Sequence, residues 1–101
     1  MVKEEVHVKA NPEKVFEVIS THFSISKKAF LSQGRARTIA RPRQILMYIL
    51  RTELGLPFDE VGRMIGGRDH STVMHAVDNI TNLASRDEKI RADITGIKKA
   101  L

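Results

Sequence analysis

The chain has 101 residues, of which 42% are hydrophobic and 29% are charged, with a formal net charge of +5 and no cysteine. This length fits one compact domain, and the composition is that of a soluble globular protein rather than a disordered one. Without cysteine there are no disulfides and no thiolate metal site, so packing must hold the core together. No apolar run approaches the roughly 18 residues of a membrane span, and Lys3, Glu4 and Glu5 interrupt any signal-peptide h-region. We therefore expect a cytoplasmic protein.

Basic residues are concentrated in the middle of the chain. Between Lys27 and Arg51 there are seven basic residues and no acidic one, whereas the remaining ten basic and twelve acidic residues give −2. A basic stretch on an otherwise acidic domain is typical of a polyanion-binding surface. A solvated loop and helix face would give the same pattern, so this stretch alone does not decide between the two interpretations.

The N-terminal third of the domain predicts two helices. Asn11 and Pro12 supply an N-cap and the residue that best tolerates the first helical position, and Val15, Val18, Ile19, His22 and Phe23 follow at helical spacing. The first helix is therefore predicted over residues 12–23. Ser26 can cap a short second helix that ends at Leu31, because the run Ser32-Gln33-Gly34 breaks the pattern.

Two further helices are predicted between the basic stretch and a pair of glycines. The run Arg35-Ala36-Arg37 is predicted to lie in a loop, and the third helix to begin between residues 38 and 42 and to end before Gly55. Its start stays open because proline fits best in the first helical turn, and Pro42 lies several residues after the first plausible cap. A short fourth helix is predicted over residues 58–65 and is ended by Gly66-Gly67.

The last part of the chain predicts two more helices. Asp69 is the candidate N-cap of a fifth helix over residues 70–84, whose apolar residues fall on one side. The run Ser85-Arg86-Asp87-Glu88 has the capping-box pattern and predicts a separate sixth helix. No strand-like alternation of useful length occurs. The fold class is therefore predicted to be all-α, with five to six helices.

The fourth and fifth predicted helices, with the glycine turn between them, have the layout of a helix-turn-helix. In this motif the second helix enters the major groove, and its N-terminal residues meet base edges. Short donors, acceptors and a methyl group are offered there by His70, Ser71, Thr72 and His75, and Asp69 can accept from a cytosine amino group. An ordinary exposed helix start, with Asp69 acting only as a cap, would look the same locally. Together with the basic stretch, which can contact phosphates, the pattern favours a double-stranded DNA reader.

Two runs of sequence carry the most specific pattern in the chain. The run from Gly67 to Ala76 reads G-R-D-H-S-T-V-M-H-A, and the run from Arg35 to Gln44 reads R-A-R-T-I-A-R-P-R-Q. Both are similar to motifs of the C-terminal DNA-binding domain of the bacterial replication initiator DnaA family, usually written G-R-D-H-T/S-T-V-x-x-A for the first. The resemblance extends over residues 11–101. It implies binding to DnaA boxes of the form TTATNCACA, recruitment of the initiator to the chromosomal origin, and a role in transcription regulation.

The resemblance also implies roles for individual residues. Base contacts would be made by Arg35 in the minor groove and, in the major groove, by Asp69, His70, Ser71, Thr72 and Met74. DNA-backbone contacts would be made by Arg37, Arg43, Gln44, Arg51, Arg68 and His75. Of these, Arg43 is expected to be exposed. Ser71 stands where many members have threonine, so one thymine methyl contact would be missing and selectivity there softer.

Full-length members of the family also carry an ATPase module. This chain has no G-x-x-x-x-G-K-[ST] loop, so we expect no ATP hydrolysis and no cofactor in it. The simplest account is an excised domain over residues 11–101, with residues 1–10 as the remnant of a linker. A stand-alone regulator or a transposase-like protein with the same reader domain stays open.

Catalytic and membrane functions are not favoured. His70 and His75 are five residues apart, which separates them by about 140° around a helix, unlike the i, i+4 pair of zinc proteases. Members of the family are associated with acidic phospholipids, but the first predicted helix carries Glu13 and Glu17 against Lys14, whereas interfacial helices are usually basic. We therefore expect a nucleoid-associated monomer that binds double-stranded DNA, with no catalytic residue, no metal site and little lipid binding.

Overall fold

The computed structural model describes residues 11–34 and 36–101, and this part of the chain forms six α-helices and no strand. In chain order the helices are α1 (Pro12–Phe23), α2 (Lys27–Leu31), α3 (Arg37–Leu54), α4 (Phe58–Met64), α5 (His70–Ala84) and α6 (Glu88–Ala100). The predicted all-α class is confirmed, and the bounds of α1 and α5 are those that the sequence predicts. The expected linker at residues 1–10 and the expected base contact by Arg35 lie outside the described residues.

Helix α3 begins earlier than the sequence predicts. Ala36 is its N-cap, and the Ala36 carbonyl accepts hydrogen bonds from the N–H groups of Ile39 and Ala40, at 2.9 and 2.8 Å. Arg37 is therefore the first helical residue, and the prediction that it lies in a loop is wrong. Pro42 lies in the second turn, where it has no N–H to donate and removes one helical hydrogen bond. The buried residues that follow it keep α3 helical, because tertiary packing outweighs this local loss.

The start of α6 also differs from the prediction. Asp87, rather than Ser85, is its N-cap, because the Asp87 carboxylate accepts from the backbone N–H groups of Lys89 and Ile90, at 2.9 and 3.2 Å. The Ser85 hydroxyl instead donates to the Asn82 carbonyl at 2.6 Å, at the end of α5. The capping-box prediction therefore names the wrong cap residue, because Ser85 caps the end of α5 and not the start of α6.

The core is built around α3, which packs against α1, α2, α4 and α5. Its residues Ile45, Leu46, Ile49 and Leu50 are fully buried, and burying each such side chain contributes roughly 1.5 to 3 kcal/mol. The other buried hydrophobic residues are Val15, Phe16, Ile19, Phe30, Met47, Val61, Ile65, Val73, Ala76, Val77, Ile80, Ile90, Ile94 and Ile97. Every helix contributes to this single cluster, so no helix is an independent unit.

Helix α6 packs against α1 and α5 and brings the last helix of the chain to the first. His22 Nε2 lies 2.9 Å from Asp93 Oδ1 across the α1–α6 contact. The sequence pattern places His22 among the apolar residues of α1 and identifies no partner for it. In the structure it lies at the edge of the core, where its ring has a carboxylate partner.

The turn between α4 and α5 depends on a close backbone approach at Gly62. The Gly62 carbonyl accepts from the Arg68 N–H at 2.9 Å, and a Cβ added at Gly62 would lie 1.9 Å from the Arg68 carbonyl oxygen. Gly66 and Gly67 continue the turn with φ of +70° and +76°, a conformation that favours glycine. These glycines set the spacing and the angle between the two helices.

We predict that Gly62→Ala destabilises the domain by about 2 kcal/mol or more, although alanine favours a helix by up to about 1 kcal/mol. The clash with backbone outweighs the helix preference, because neither α4 nor the turn can move without separating the two helices. Urea unfolding followed by circular dichroism measures the difference. Gly34→Ala is the matched control, since its Cβ would meet only the flexible Ser32 hydroxyl at 3.4 Å. Equal stability of Gly62→Ala and wild type would contradict the close approach.

Candidate nucleic-acid interface

Asp69 fixes the start of α5. Its Oδ1 accepts from the backbone N–H of Thr72 at 3.0 Å, which confirms the predicted N-cap. This hydrogen bond is the main reason that the pKa of Asp69 lies below its usual range, with smaller contributions from the Ser71 N–H and from the charge of His70. The carboxylate is fully exposed, so the capping residue can still present its second oxygen to a ligand.

The outward face of α5 is polar, with one apolar side chain. His70, Thr72 and His75 are exposed, whereas Ser71 is half-buried and less accessible than the sequence suggests. Met74 is 36% exposed and is the large hydrophobic residue with the most solvent contact in the described part of the chain. The face therefore combines short hydrogen-bonding groups with one flexible apolar group, as base edges and thymine methyl groups require.

A groove between α3 and α5, which we call the α3–α5 groove, runs beside this face. Its lining residues are Arg37, Ala40, Arg41, Arg43, Gln44, Met47, Arg68, Thr72, His75, Ala76 and Asn79. Asn79 Nδ2 donates to Gln44 Oε1 at 2.9 Å, which leaves the amino group of Gln44 as a donor toward the groove. The groove is thus lined by cations and hydrogen-bond donors and adjoins the start of α5.

The α3–α5 groove brings together five of the six expected DNA-backbone contacts, namely Arg37, Arg43, Gln44, Arg68 and His75, and leaves out Arg51. It also contains Arg41 and Asn79, which the sequence analysis missed. Arg41 is exposed and follows Arg37 by one helical turn, so the correct start of α3 would have identified it. Asn79 could be recognised only as part of the polar face of α5, because its partner Gln44 lies 35 residues away.

Arg43 does not have the exposure that the sequence predicts. Only 6% of it is exposed, and it lies beneath the loop between α2 and α3. Its guanidinium donates to the backbone carbonyls of Phe30 (2.9 Å), Gly34 (3.0 Å), Ala29 (3.2 Å) and Ser32 (3.2 Å). The expected exposure is therefore wrong, because the guanidinium is the hydrogen-bond partner of four carbonyls at the end of α2 and in the loop that follows. Its contact with the DNA backbone stays a prediction of the resemblance.

Burial lowers the pKa of Arg43, and the positive charge of Arg68 lowers it further. Arginine stays charged under such conditions because its delocalised guanidinium is not deprotonated in proteins. The hydrogen bonds of Arg43 are consequently charge-assisted and stronger than those between neutral groups. Arg43 thus stabilises the loop that leads into the basic end of α3.

Two further arginines among the expected backbone contacts are also bonded within the protein. Arg51 Nη1 donates to the Leu56 carbonyl at 3.0 Å, and its Cζ lies 4.3 Å from the ring centroid of Phe58, so it holds the connection from α3 to α4. Arg68 Nη1 and Nη2 donate to the carbonyls of Ile65 and Ser32, at 2.8 and 2.6 Å. Burial lowers the pKa of Arg68. The contacts of Arg51 and Arg68 with DNA stay predictions. Both side chains donate hydrogen bonds to backbone carbonyls of the segments that connect the helices.

Two features are absent from residues 11–34 and 36–101, namely a metal-binding cluster and a membrane-spanning helix. No group of three or more histidine, aspartate or glutamate side chains there could hold a metal ion. No helix in the same ranges is long and apolar enough to cross a membrane.

Comparisons with known proteins agree with this geometry. A family model described as the bacterial dnaA protein helix-turn-helix matches residues 12–80. The chain is 43% identical over 96 residues to the chromosomal replication initiator protein DnaA of Thermomicrobium roseum, and this alignment covers 95% of the chain and 21% of that protein. It is 39% identical over 89 residues to the protein of the same name from Herpetosiphon aurantiacus, covering 88% of the chain and 19% of that protein. The chain therefore spans about a fifth of the length of these curated relatives.

We predict that Arg43→Lys destabilises the domain by about 2 to 4 kcal/mol, although it conserves the charge. One ammonium group cannot reach four carbonyls, and each hydrogen bond lost from a charged group costs roughly 1.5 to 3 kcal/mol before water replaces part of it. Urea unfolding gives the difference. Arg41→Lys, on the exposed side of the same helix, is the control and should change stability by less than about 0.5 kcal/mol. Similar effects of the two substitutions would contradict the buried role of Arg43.

We predict that the stabilising effect of Asp69 disappears in acid. Because the folded-state pKa of Asp69 is lowered, the carboxylate stabilises α5 above its unfolded pKa, and this contribution is lost as the pH falls through the folded pKa. Asp69→Asn retains a capping oxygen but cannot titrate. Thermal melts should give the wild type the higher Tm at pH 7, with a gap that closes below about pH 4. A gap that does not change with pH would show that the charge of Asp69 is not involved.

Proposed function

Since the chain belongs to the bacterial DnaA helix-turn-helix family, we propose that it binds double-stranded DNA at DnaA boxes of the form TTATNCACA. Through this binding it would recruit the replication initiator to the chromosomal origin, and at boxes near promoters it would regulate transcription. The observation that carries the proposal is the position of the exposed start of α5 directly beside the cationic α3–α5 groove. One part can read bases and the other can bind phosphates, and specific DNA binding requires both.

We assign base reading in the major groove to the first turns of α5. Thr72 offers an exposed hydroxyl and a methyl group, His70 an exposed ring, and Asp69 a carboxylate oxygen beyond the one that caps the helix. Met74 offers an apolar contact to a thymine methyl. Ser71 would contribute least to base reading, because it is half-buried and has no methyl group.

We assign phosphate binding to the α3–α5 groove. Arg37, Arg41 and Gln44 follow one another at spacings of four and three residues, which places them on one face of α3. His75 reaches the same groove from α5. A row of donors along the rim of a recognition helix is the arrangement that holds a DNA backbone while the helix lies in the major groove.

We assign minor-groove reading to Arg35, on the strength of its position in the basic motif. Narrow A·T-rich minor grooves attract arginine, and the box contains such a segment. The loop that leads to this residue is held by Arg43 from below. With Arg35 in the minor groove and α5 in the major groove of one duplex, binding would depend on the order of the A·T-rich and mixed-sequence segments along the box.

We infer that DNA binding is the whole activity of this chain. The proposal requires no cofactor and no catalytic residue, and any ATP binding would belong to another part of a full-length protein. A single domain can occupy an asymmetric box, so the chain would bind as a monomer. Lipid binding through α1 is not favoured, because Glu13 and Glu17 are exposed on it beside Lys14. Nucleoid association would follow from DNA binding alone.

The test is a fluorescence-anisotropy titration of the domain with a duplex that contains TTATNCACA and with a scrambled duplex. We expect the box to bind at least about 10³-fold more tightly at physiological salt. We also expect affinity to fall steeply with salt, because each neutralised phosphate releases roughly 0.9 counterion. Equal affinity for the two duplexes would refute sequence-specific binding.

Two variants separate base reading from phosphate binding. Thr72→Ala keeps the backbone N–H that Asp69 caps, so it should weaken box binding by about 1 to 3 kcal/mol and scrambled binding much less. Arg41→Ala removes an exposed cation of the groove, so it should weaken both complexes about equally and reduce the salt slope by about one unit. If Thr72→Ala weakened both complexes by the same factor, α5 would not be the reading helix.

A further inference from the structure

We propose that Arg68 is a positioning residue that fastens the loop between α2 and α3 to the turn between α4 and α5, and that this fastening determines selectivity in the A·T-rich half of the box. The inference rests on the proposed function, because it explains how two parts of one DNA-binding surface keep their spacing. It differs from the expected role of Arg68 as a phosphate contact.

Arg68 lies between the glycine turn and the N-cap of α5, and it bridges two segments that are distant in sequence. Its Nη1 donates to the Ile65 carbonyl, within the turn, at 2.8 Å. Its Nη2 donates to the Ser32 carbonyl, 36 residues away, at 2.6 Å. A guanidinium is planar and its donors are fixed relative to one another, so two such bonds restrict both the distance and the orientation of the two segments.

The Ser32 carbonyl is shared by two arginines. Arg43 Nη2, from α3, donates to the same oxygen at 3.2 Å, and burial together with the proximity of the two guanidinium groups lowers the pKa of Arg43. Like charges repel, so the two groups lie together because the carbonyl holds both of them. One backbone atom of the loop is therefore joined to the helix that lines the groove and to the turn that precedes the reading helix.

Two other contacts cross the same boundary. Gln33 Nε2 donates to the Gly66 carbonyl at 3.4 Å. Gly66 lies so close to the end of α2 that an added Cβ would be 2.5 Å from the Leu31 carbonyl oxygen. The last residue of α2 and the first two residues of the loop are thus in contact with the turn, and Arg68 supplies the shortest hydrogen bond among these contacts.

The fastening has a consequence for DNA reading. A recognition helix in the major groove and a loop at the neighbouring minor groove can engage one duplex together only if their separation matches that of the grooves. A loose loop could still bind phosphates, but it would read the A·T-rich half with less selectivity. Arg68 thereby affects bases that it does not contact.

The test uses Arg68→Lys in the full chain. Lysine keeps the charge and can still bind a phosphate, but it cannot bridge both carbonyls with the geometry of a guanidinium. Amide hydrogen exchange by NMR, without DNA, should show the N–H groups of Ser32 and Gly34 exchanging about tenfold faster. Titrations should use the intact box, a box with one base pair changed in TTAT, and a box with one changed in CACA.

We expect the wild type to lose about tenfold in affinity for either changed box. Arg68→Lys should reduce the TTAT penalty to about threefold or less and should leave the CACA penalty and the salt slope unchanged. Arg63→Lys, an exposed arginine on α4, is the matched control and should behave as wild type. Gln33→Ala removes a contact across the same boundary without changing charge, and it should relax the TTAT penalty in the same direction even if Arg68→Lys folds poorly.

Three results would count against the proposal. If exchange at Ser32 and Gly34 is unchanged in Arg68→Lys, Arg68 does not hold the loop. If exchange accelerates but the TTAT penalty persists, the loop is held without consequence for reading, and the proposed function stands while this inference fails. If the wild type itself does not prefer the box to scrambled DNA, the proposed function fails and the inference fails with it.

Discussion

The domain depends on the buried guanidinium of Arg43. A charged group with only 6% of its surface exposed is costly unless its donors are satisfied, and here four of them meet carbonyl oxygens at the end of α2 and in the loop that follows. Those carbonyls would otherwise require water in the same place. The loop can therefore lie directly on α3 without a layer of water between them. The basic residues at the start of α3 are exposed at the surface beside it.

The same helix carries the core and the candidate phosphate-binding surface. The inner side of α3 contributes Ile45, Leu46, Ile49 and Leu50 to the core, while its outer side carries Arg37 and Arg41 beside α5. Because α5 packs on α3 along its buried side, its polar side faces outward at a position set by the core. Packing thus determines where the groups proposed to read bases and to bind phosphates lie, and neither surface requires a separate supporting structure.

Sequence reasoning succeeded where the relevant interaction is local. The starts of α1 and α5 follow from the caps Asn11 and Asp69, each of which accepts a hydrogen bond from a backbone N–H three residues later. Such a short-range interaction can be recognised from the sequence alone. The start of α3 was missed because a local rule about Pro42 was outweighed by packing with residues far along the chain. Likewise, α6 was assigned the wrong cap, because Ser85 and Asp87 can both act as N-caps and both lie between the end of α5 and the start of α6.

The candidate site was predicted in part for the same reason. The exposed face of α5 follows from helical periodicity, whereas the roles expected of Arg37, Gln44 and His75 are implied by the resemblance to the DnaA family. The direction of an arginine side chain does not, because a positive charge in the sequence is compatible with a phosphate, a carbonyl or an aromatic ring as partner. Arg43, Arg51 and Arg68 each donate to carbonyls of the chain itself, at separations of 13, 5 and 36 residues, and the residue type alone does not select these partners.

The hydrogen bond from Arg68 to Ser32 also bears on the order in which contacts form during folding. Helices form from contacts between near neighbours and do so quickly, whereas a contact across 36 residues must first close a long loop and overcome its entropy. The fastening of the loop is therefore expected to come after α3 and the helix-turn-helix have formed. The recognition helix would then form before the whole surface is complete, and the last contact to form would be the one proposed to govern selectivity.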